Sequence, residues 1–255
     1  MSKQSANRIG SVPYLNSVPL THGIEKETSF VVPSKLAEQL RAGELDAALV
    51  SITEVLFHEG YDLLDGVAVA SHGPVKSVFL AHRQPLEEIQ TIHCDIASLT
   101  SVNLLRVLLA ERGLVPTFEP LADYSQAAAL ENVLLIGNPG IDFLRAPHDH
   151  EIWDLGTAWH ELIGLPFVYA AWALRRGHHD AALRAKLLAA KENGMANLAQ
   201  IIAEHPDYDA EFRQAYLGGH IRYDLGEAEK AGLAKFIELL RLHGDQPIIE
   251  PSLSK

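Results

Sequence analysis

Short apolar runs alternate with helical stretches along this chain. That alternation restricts it to a mainly parallel sheet with helices on both faces. The run at 46–52 reads DAALVSI and the run at 132–136 reads NVLLI. Each is too short for a helix and apolar through its middle, as a buried strand is. Residues 30–32, 67–71, 77–82, 91–96 and 117–120 are predicted as further strands. Ser34 is placed to cap a helix through Leu40, with Glu38 near the capping-box position and Gly43 as its stop. A strongly apolar helix is expected over 102–112, ended by Gly113, and Gly137-Asn138-Pro139-Gly140 is read as breaking the strand before it. Residues 154–156 and 165–172 are expected to be extended. Residues 181–203 and 226–242 carry Ala, Leu, Glu and Lys at helical spacing.

At 255 residues the chain has room for two lobes, each with a core. The expected division is a discontinuous first lobe of 1–82 plus 174–255 and a second lobe of 83–173. Strands 77–82 and 168–173 are expected to cross between them. A chain that leaves a lobe and returns to it makes a hinged cleft, and such clefts favour small molecules.

Composition removes several classes of function. The formal net charge of -12 leaves no excess of Lys and Arg to neutralise phosphates, so nucleic acid is not an expected partner. An anionic ligand would need local donors instead of the global field. No apolar stretch reaches bilayer length; the longest, 165–174, contains Pro166. The start, MSKQSANRIG, lacks the apolar run of a secretory signal, and the single cysteine, Cys94, fits a reducing compartment, so a cytoplasmic location is expected. The 13 histidines scatter, and neither His148/His150 nor His178/His179 has zinc-site spacing, so no metal is expected. There is no G-x-S-x-G, Gly-rich dinucleotide or P-loop pattern, and no bound cofactor is expected.

Polar loops at strand ends carry the chemistry. In RIGSVPYLNSVPL (8–20), Ser11, Tyr14, Asn16 and Ser17 stand where a first strand gives way to a helix. Helix starts leave backbone N–H groups unpaired and able to hold an anion; taken alone, the segment is also an ordinary strand–helix turn capped by Asn16. Ser51 and Thr53 end the next apolar run. Gly73-Pro74-Val75 turns the chain towards Ser77. Ser98, Thr100 and Ser101 gather three hydroxyls at a helix start, where a carboxylate gains charge-assisted hydrogen bonds without a lysine; the plainer reading is Ser98 as an N-cap. Tyr169 and Trp172 are either cleft lining or core.

Taken in order, RIGSVPYLNSVPL, DAALVSITEVL, HGPVKSV, SLTSVNLLRVLL, LLIG, DLGTAWHELIGLPFVYAAWALRR and IRYDLGEAEKAGL resemble chorismate dehydratase of the futalosine route to menaquinone. The resemblance spans nearly the whole chain. It implies a type II periplasmic-binding-protein fold working in the cytoplasm. It also implies a cofactor-free lyase that turns chorismate, a dicarboxylate, into 3-[(1-carboxyvinyl)oxy]benzoate and water. Carried over by motif, Asn16 and Ser77 are the catalytic candidates, with Asn16 near the leaving hydroxyl. Ser98, Thr100 and Ser101 would grip a carboxylate, and Ser11, Tyr14, Ser51, Gly73, Pro74, Val75, Asn138 and Tyr169 complete the expected binding set. Two positions depart from the pattern: Leu99 replaces the arginine of a Ser-Arg-Thr-Ser loop, and Asn138 follows LLIG where the family has Asp. The other class of function considered is a cytoplasmic binding protein for a small carboxylate, with the same fold and no turnover.

Overall fold

Two mixed sheets carry the computed structural model, which describes residues 8–95, 99–121 and 123–254. The strands, in chain order, are β1 (Ile9–Ser11), β2 (Thr28–Phe30), β3 (Ala47–Ser51), β4 (Tyr61–Ser71), β5 (Val78–His82), β6 (Thr91–Cys94), β7 (Thr117–Pro120), β8 (Asn132–Ile136), β9 (Glu151–Asp154), β10 (Phe167–Arg175), β11 (Ile221–Arg222) and β12 (Ser252–Ser254). The α-helices are α1 (Val18–Thr21), α2 (Pro33–Arg41), α3 (Ile52–Phe57), α4 (Leu99–Ala110), α5 (Gly137–Arg145), α6 (Leu155–Ile163), α7 (Ala181–Ala196), α8 (Leu198–Glu204), α9 (Ala210–Ala215) and α10 (Glu227–His243). The first sheet has the order β11-β4-β10-β3-β1-β2, with β12 also on β4; the second has the order β7-β6-β8-β5-β9.

The expectation of mainly parallel pairing needs correction. β1 runs parallel to β2 and β3, and β6 parallel to β7 and β8. However, β10 lies antiparallel between β3 and β4, and β5 is antiparallel to β8 and β9. The cause is the double passage of the chain between lobes, which brings β5 and β10 in against the direction of their neighbours. β5 sits wholly in the second sheet and β10 wholly in the first. The crossings are therefore the segments 72–77 and 164–166, outside the strands expected to make them.

Three local readings also shift. α2 begins at Pro33, whose fixed φ suits a first helical turn, so Ser34 lies inside the helix. Residues 137–140 are the first turn of α5, where Pro139 is tolerated because its missing N–H has no intrahelical partner to lose. Leu155 and Gly156, expected to be extended, instead begin α6: Leu155, Ala158, Trp159, Leu162 and Ile163 recur at helical spacing, and Gly164 closes the helix at φ 74.

Behind the cleft, one aromatic cluster joins the lobes. Trp159 of α6 packs edge-on to Phe167 of β10 at 5.1 Å and to Phe236 of α10 at 6.0 Å, and the two phenylalanines meet at 4.8 Å. All three are buried. Each such pair adds about 0.5–1.5 kcal/mol beyond its burial. Gly232 lets α10 approach this region: a Cβ there would lie 1.9 Å from the Pro166 carbonyl oxygen in the second crossing. At the far ends of the strands, Asp46 ties β1, β3 and β10 together. Its carboxylate accepts from Arg8 Nη2 at 2.9 Å, the Arg8 backbone N–H at 3.0 Å and Arg175 Nη2 at 3.1 Å. Burial alone would push the Asp46 carboxyl up, but the Arg8 hydrogen bonds, with Arg175, outweigh it and hold it below the usual carboxylate value.

Two outcomes follow from these contacts. Alanine normally stabilises a helix relative to glycine, yet Gly232→Ala should destabilise by about 1–3 kcal/mol, because the added methyl overpacks the crossing. A thermal midpoint at or above that of the wild type would contradict the close approach. A carboxyl depressed in the fold stabilises above its unfolded pKa of about 3.9 and loses that contribution as pH falls through the folded value. Asp46→Asn should therefore lower stability at neutral pH and flatten its fall in acid, read from urea midpoints across pH. An acid limb as steep as in the wild type would remove Asp46 as its source.

Candidate active site

The cleft opens at the carboxyl ends of β1, β3 and β8, where strands hand over to helices, the position open α/β sheets use for ligands. The empty space between its walls, counting what opens to solvent, is about 610 Å³. Tyr14, Asn16, Ser51, Val75, Ser77, Ser101 and Tyr169 line it. The remaining wall is apolar or main chain, including Val12, Leu49, Val69, Ile136 and Gly137. No Asp, Glu, His, Lys or Arg side chain is among the described residues of that wall.

The two catalytic candidates are held by one phenol. Tyr216 donates from its Oη to Ser77 Oγ at 2.7 Å, and the Asn16 side chain approaches the same phenol. Tyr216 and Ser77 are each 1% exposed. Tyr216 opens a five-residue π turn, Tyr216–His220, after α9. Tyr169 pairs with Ser71 Oγ at 3.1 Å. The Tyr14 ring lies over the backbone of Gly137, where a Cβ would meet Tyr14 Cε2 at 3.0 Å. Burial, then the Asp95 carboxylate, pushes the Tyr14 phenol up to about 12. Burial likewise raises Tyr169 and Tyr216, the latter against the opposing pull of Ser77 and Asn16. All three are neutral hydrogen-bonding groups at ordinary pH, not bases.

Several of the expected binding residues stand away from the described wall and make contacts within the fold. Gly73 and Pro74 are off the wall, and the amides of their turn are already occupied. Asp154 accepts from Val75 N–H at 3.1 Å and Lys76 N–H at 2.8 Å while capping α6 through Thr157 N–H at 2.9 Å. The hydroxyl of Thr100 sits 3.1 Å from Thr53 Oγ1 and accepts from Thr53 N–H at 3.1 Å, which joins α4 to α3. Asn138 Oδ1 accepts from Leu15 N–H at 3.2 Å and so latches α5 to the first loop. Ser11 is fully buried beneath the cleft, with no hydrogen-bond partner for its Oγ. Ser98 lies outside the described residues. Leu99 is half exposed beside a recess that shares Pro33 and Ser51 with the cleft. The guanidinium in that recess is Arg41, 2.7 Å from the buried Glu54 carboxylate.

The sequence reading missed Tyr216 and Asp154. Asp154 was visible as an N-cap, with Thr157 three residues on and an apolar helical period behind it. Tyr216 had weaker signals: an aromatic residue before Gly218-Gly219, in a stretch that otherwise continues a helix. Cys94 is buried, and burial, then Asp95, pushes its thiol up to about 12, which removes it as a nucleophile. Among the described residues, no three His, Cys, Asp or Glu side chains converge as a metal set. None of their helices is long and apolar enough to cross a membrane.

The profile of a family described as menaquinone biosynthesis matches residues 7–241. A chorismate dehydratase of Thermus thermophilus is 33% identical over 265 residues, covering 92% of this chain and 95% of that protein. A chorismate dehydratase of Campylobacter jejuni is 26% identical, covering 88% of this chain and 89% of that one. Among solved structures, a protein from Archaeoglobus fulgidus superposes with a TM-score of 0.67 at 18% identity, over 94% of this chain and 99% of its own. The periplasmic aliphatic sulphonate binding protein SsuA from Escherichia coli superposes at 0.62 and 20% identity, over 98% and 93%. At such identities these two show the fold alone: a two-lobed, periplasmic-binding-protein-like α/β architecture.

Asp154 generates the prediction here. Asp154→Ala removes an acceptor shared by three backbone amides and should cost about 1–3 kcal/mol of stability. It should also lower ligand affinity, because the turn it fixes ends at Ser77. Asp154→Asn, which keeps one acceptor oxygen, should fall between. Equal thermal midpoints for the wild type and both variants would show that the turn holds its shape without this carboxylate.

Proposed function

The chain belongs to the menaquinone-biosynthesis family, and on that premise we propose that it is a lyase dehydrating chorismate to 3-[(1-carboxyvinyl)oxy]benzoate and water in the cytoplasm, without a cofactor. The observation that carries this reading is the arrangement of Asn16 and Ser77 on one wall of a cleft otherwise built from hydroxyls, phenols and apolar groups. Such a wall suits a planar cyclic diene that must lose hydroxide and become aromatic.

The elimination breaks the ring C–O bond to the leaving hydroxyl and the adjacent ring C–H bond. The C–H electrons close the aromatic ring, and the proton and hydroxide leave as water. Neutral donors preorganised at the leaving oxygen stabilise the charge that develops there. Asn16 and Ser77 take that role. Ser101, at the start of α4, holds a ring or side-chain carboxylate, with Ser51 also on the lining. The described wall offers the ring proton no carboxylate, imidazole or amine. The substrate's own enolpyruvyl carboxylate is therefore assigned as the base. A chorismate analogue lacking that carboxylate should bind weakly and fail to lose its ring proton; unimpaired proton loss would reject the assignment.

The direct test is incubation of the purified protein with chorismate, followed by absorbance and by mass for loss of one water. Chorismate bound and recovered unchanged would favour the binding-protein reading instead. Asn16→Ala should lower kcat about a hundredfold while the fold persists, the scale of losing one donor at a developing charge. Ser101→Ala should raise KM about tenfold with kcat little changed, as loss of one charge-assisted hydrogen bond made equally in ground and transition states. A near-normal kcat for the first, or an unchanged KM for the second, would remove that residue from its role.

A further inference from the structure

We propose that Tyr216 is a positioning residue that turns the Ser77 hydroxyl proton into the cleft and fixes Ser77 relative to Asn16. The role of this proton in dehydration rests on the function proposed above; the bond geometry does not. A serine hydroxyl carries one proton and two acceptor sites. Tyr216 Oη donates to Ser77 Oγ at 2.7 Å, so the proton on Ser77 is directed away from the phenol. Ser77 lines the cleft, and a ligand oxygen there is the natural acceptor. Burial keeps Tyr216 protonated, and therefore a donor, across ordinary pH.

The ring is held where it can do this. Phe212 stacks on it at 5.5 Å with planes 19° apart, and Tyr208 packs on Phe212 at 5.2 Å. The π turn that begins at Tyr216 is a rare local form, often found at functional sites. A phenol needing only burial satisfaction could bond any nearby carbonyl. This one instead takes side chains from two separate segments of the cleft wall, the first loop and the first crossing. A chain of donors results, from the phenol to Ser77 and from Ser77 to the ligand, with the Asn16 side chain beside the phenol; such chains polarise each successive donor.

The test combines a mutant cycle with a ligand-free spectrum. Tyr216→Phe keeps the ring and its packing, and an unchanged far-UV spectrum and cooperative melt check the fold. Loss of one neutral hydrogen bond acting in the transition state should lower kcat about tenfold, with KM nearly constant. In a Ser77→Ala background the same change should cost nothing further, because the phenol acts through that serine. Independent, multiplying losses, or an unchanged kcat, would overturn the proposal. Without ligand, the buried Tyr216 hydroxyl proton should give a resonance in water that vanishes in Tyr216→Phe and moves in both Ser77→Ala and Asn16→Ala. A resonance missing from the wild type, or unmoved in Ser77→Ala, would also overturn it. If the wild type leaves chorismate intact, the dehydratase reading fails, and the spectrum still decides the role of Tyr216.

Discussion

One carboxylate governs how the two lobes meet. Asp154 ends β9, caps α6 and holds the Val75 and Lys76 amides of the first crossing. Its two oxygens serve donors from segments just over eighty residues apart in sequence, so the end of the second sheet and the turn into Ser77 form one rigid corner. Gly156 allows that corner to close: a Cβ there would stand 2.4 Å from the Gly73 carbonyl oxygen and 2.9 Å from the Tyr169 hydroxyl. The aromatic cluster of Trp159, Phe167 and Phe236 backs it from the other side. Ser77 inherits its position from this corner and its orientation from Tyr216.

A second constraint is electrostatic. The chain is acidic, with a formal net charge of -12, yet the described cleft wall carries no charged side chain. Burying an unpaired charge there would be costly, and hydroxyls, amides and main-chain donors avoid that cost. Most backbone donors near the cleft are nevertheless already used. The crossing turn bonds Asp154, the Leu15 amide bonds Asn138, and the Thr53 amide bonds Thr100. The polar side chains left on the described wall are few: Tyr14, Asn16, Ser51, Ser77, Ser101 and Tyr169.

The sequence carried the architecture well because that architecture rests on periodicity. Runs such as 46–52 and 132–136 are buried strands, and the strand-end loops at 12–16, 51 and 75–77 do face one cleft. Strand direction was less legible. The insertion of β10 between β3 and β4 depends on pairing across more than a hundred residues, and a local apolar run does not encode its partner. The loops at Gly73-Pro74 and Thr100 were read as sites because helix starts and turns expose donors. Sequence cannot say whether another part of the chain has engaged those groups first, and here Asp154 accepts from the turn amides and the Thr53 amide donates to the Thr100 hydroxyl. Tyr216 escaped for the opposite reason: its importance lies in a three-dimensional contact with Ser77, from a turn whose residues look like the tail of α9.

The raised phenols give the cleft an unusual quietness. Tyr14 is pushed up to about 12, Tyr169 and Tyr216 are also raised, and no carboxylate, imidazole, amine or guanidinium is among the described lining residues. The lining therefore keeps the same protonation from mildly acidic to strongly alkaline solution. A bell or step seen in the rate as acidity is varied then points to the carboxyl groups of the guest, or to charged groups behind the walls such as Asp95 and Asp154, and not to a gain or loss of charge by the phenols that enclose it.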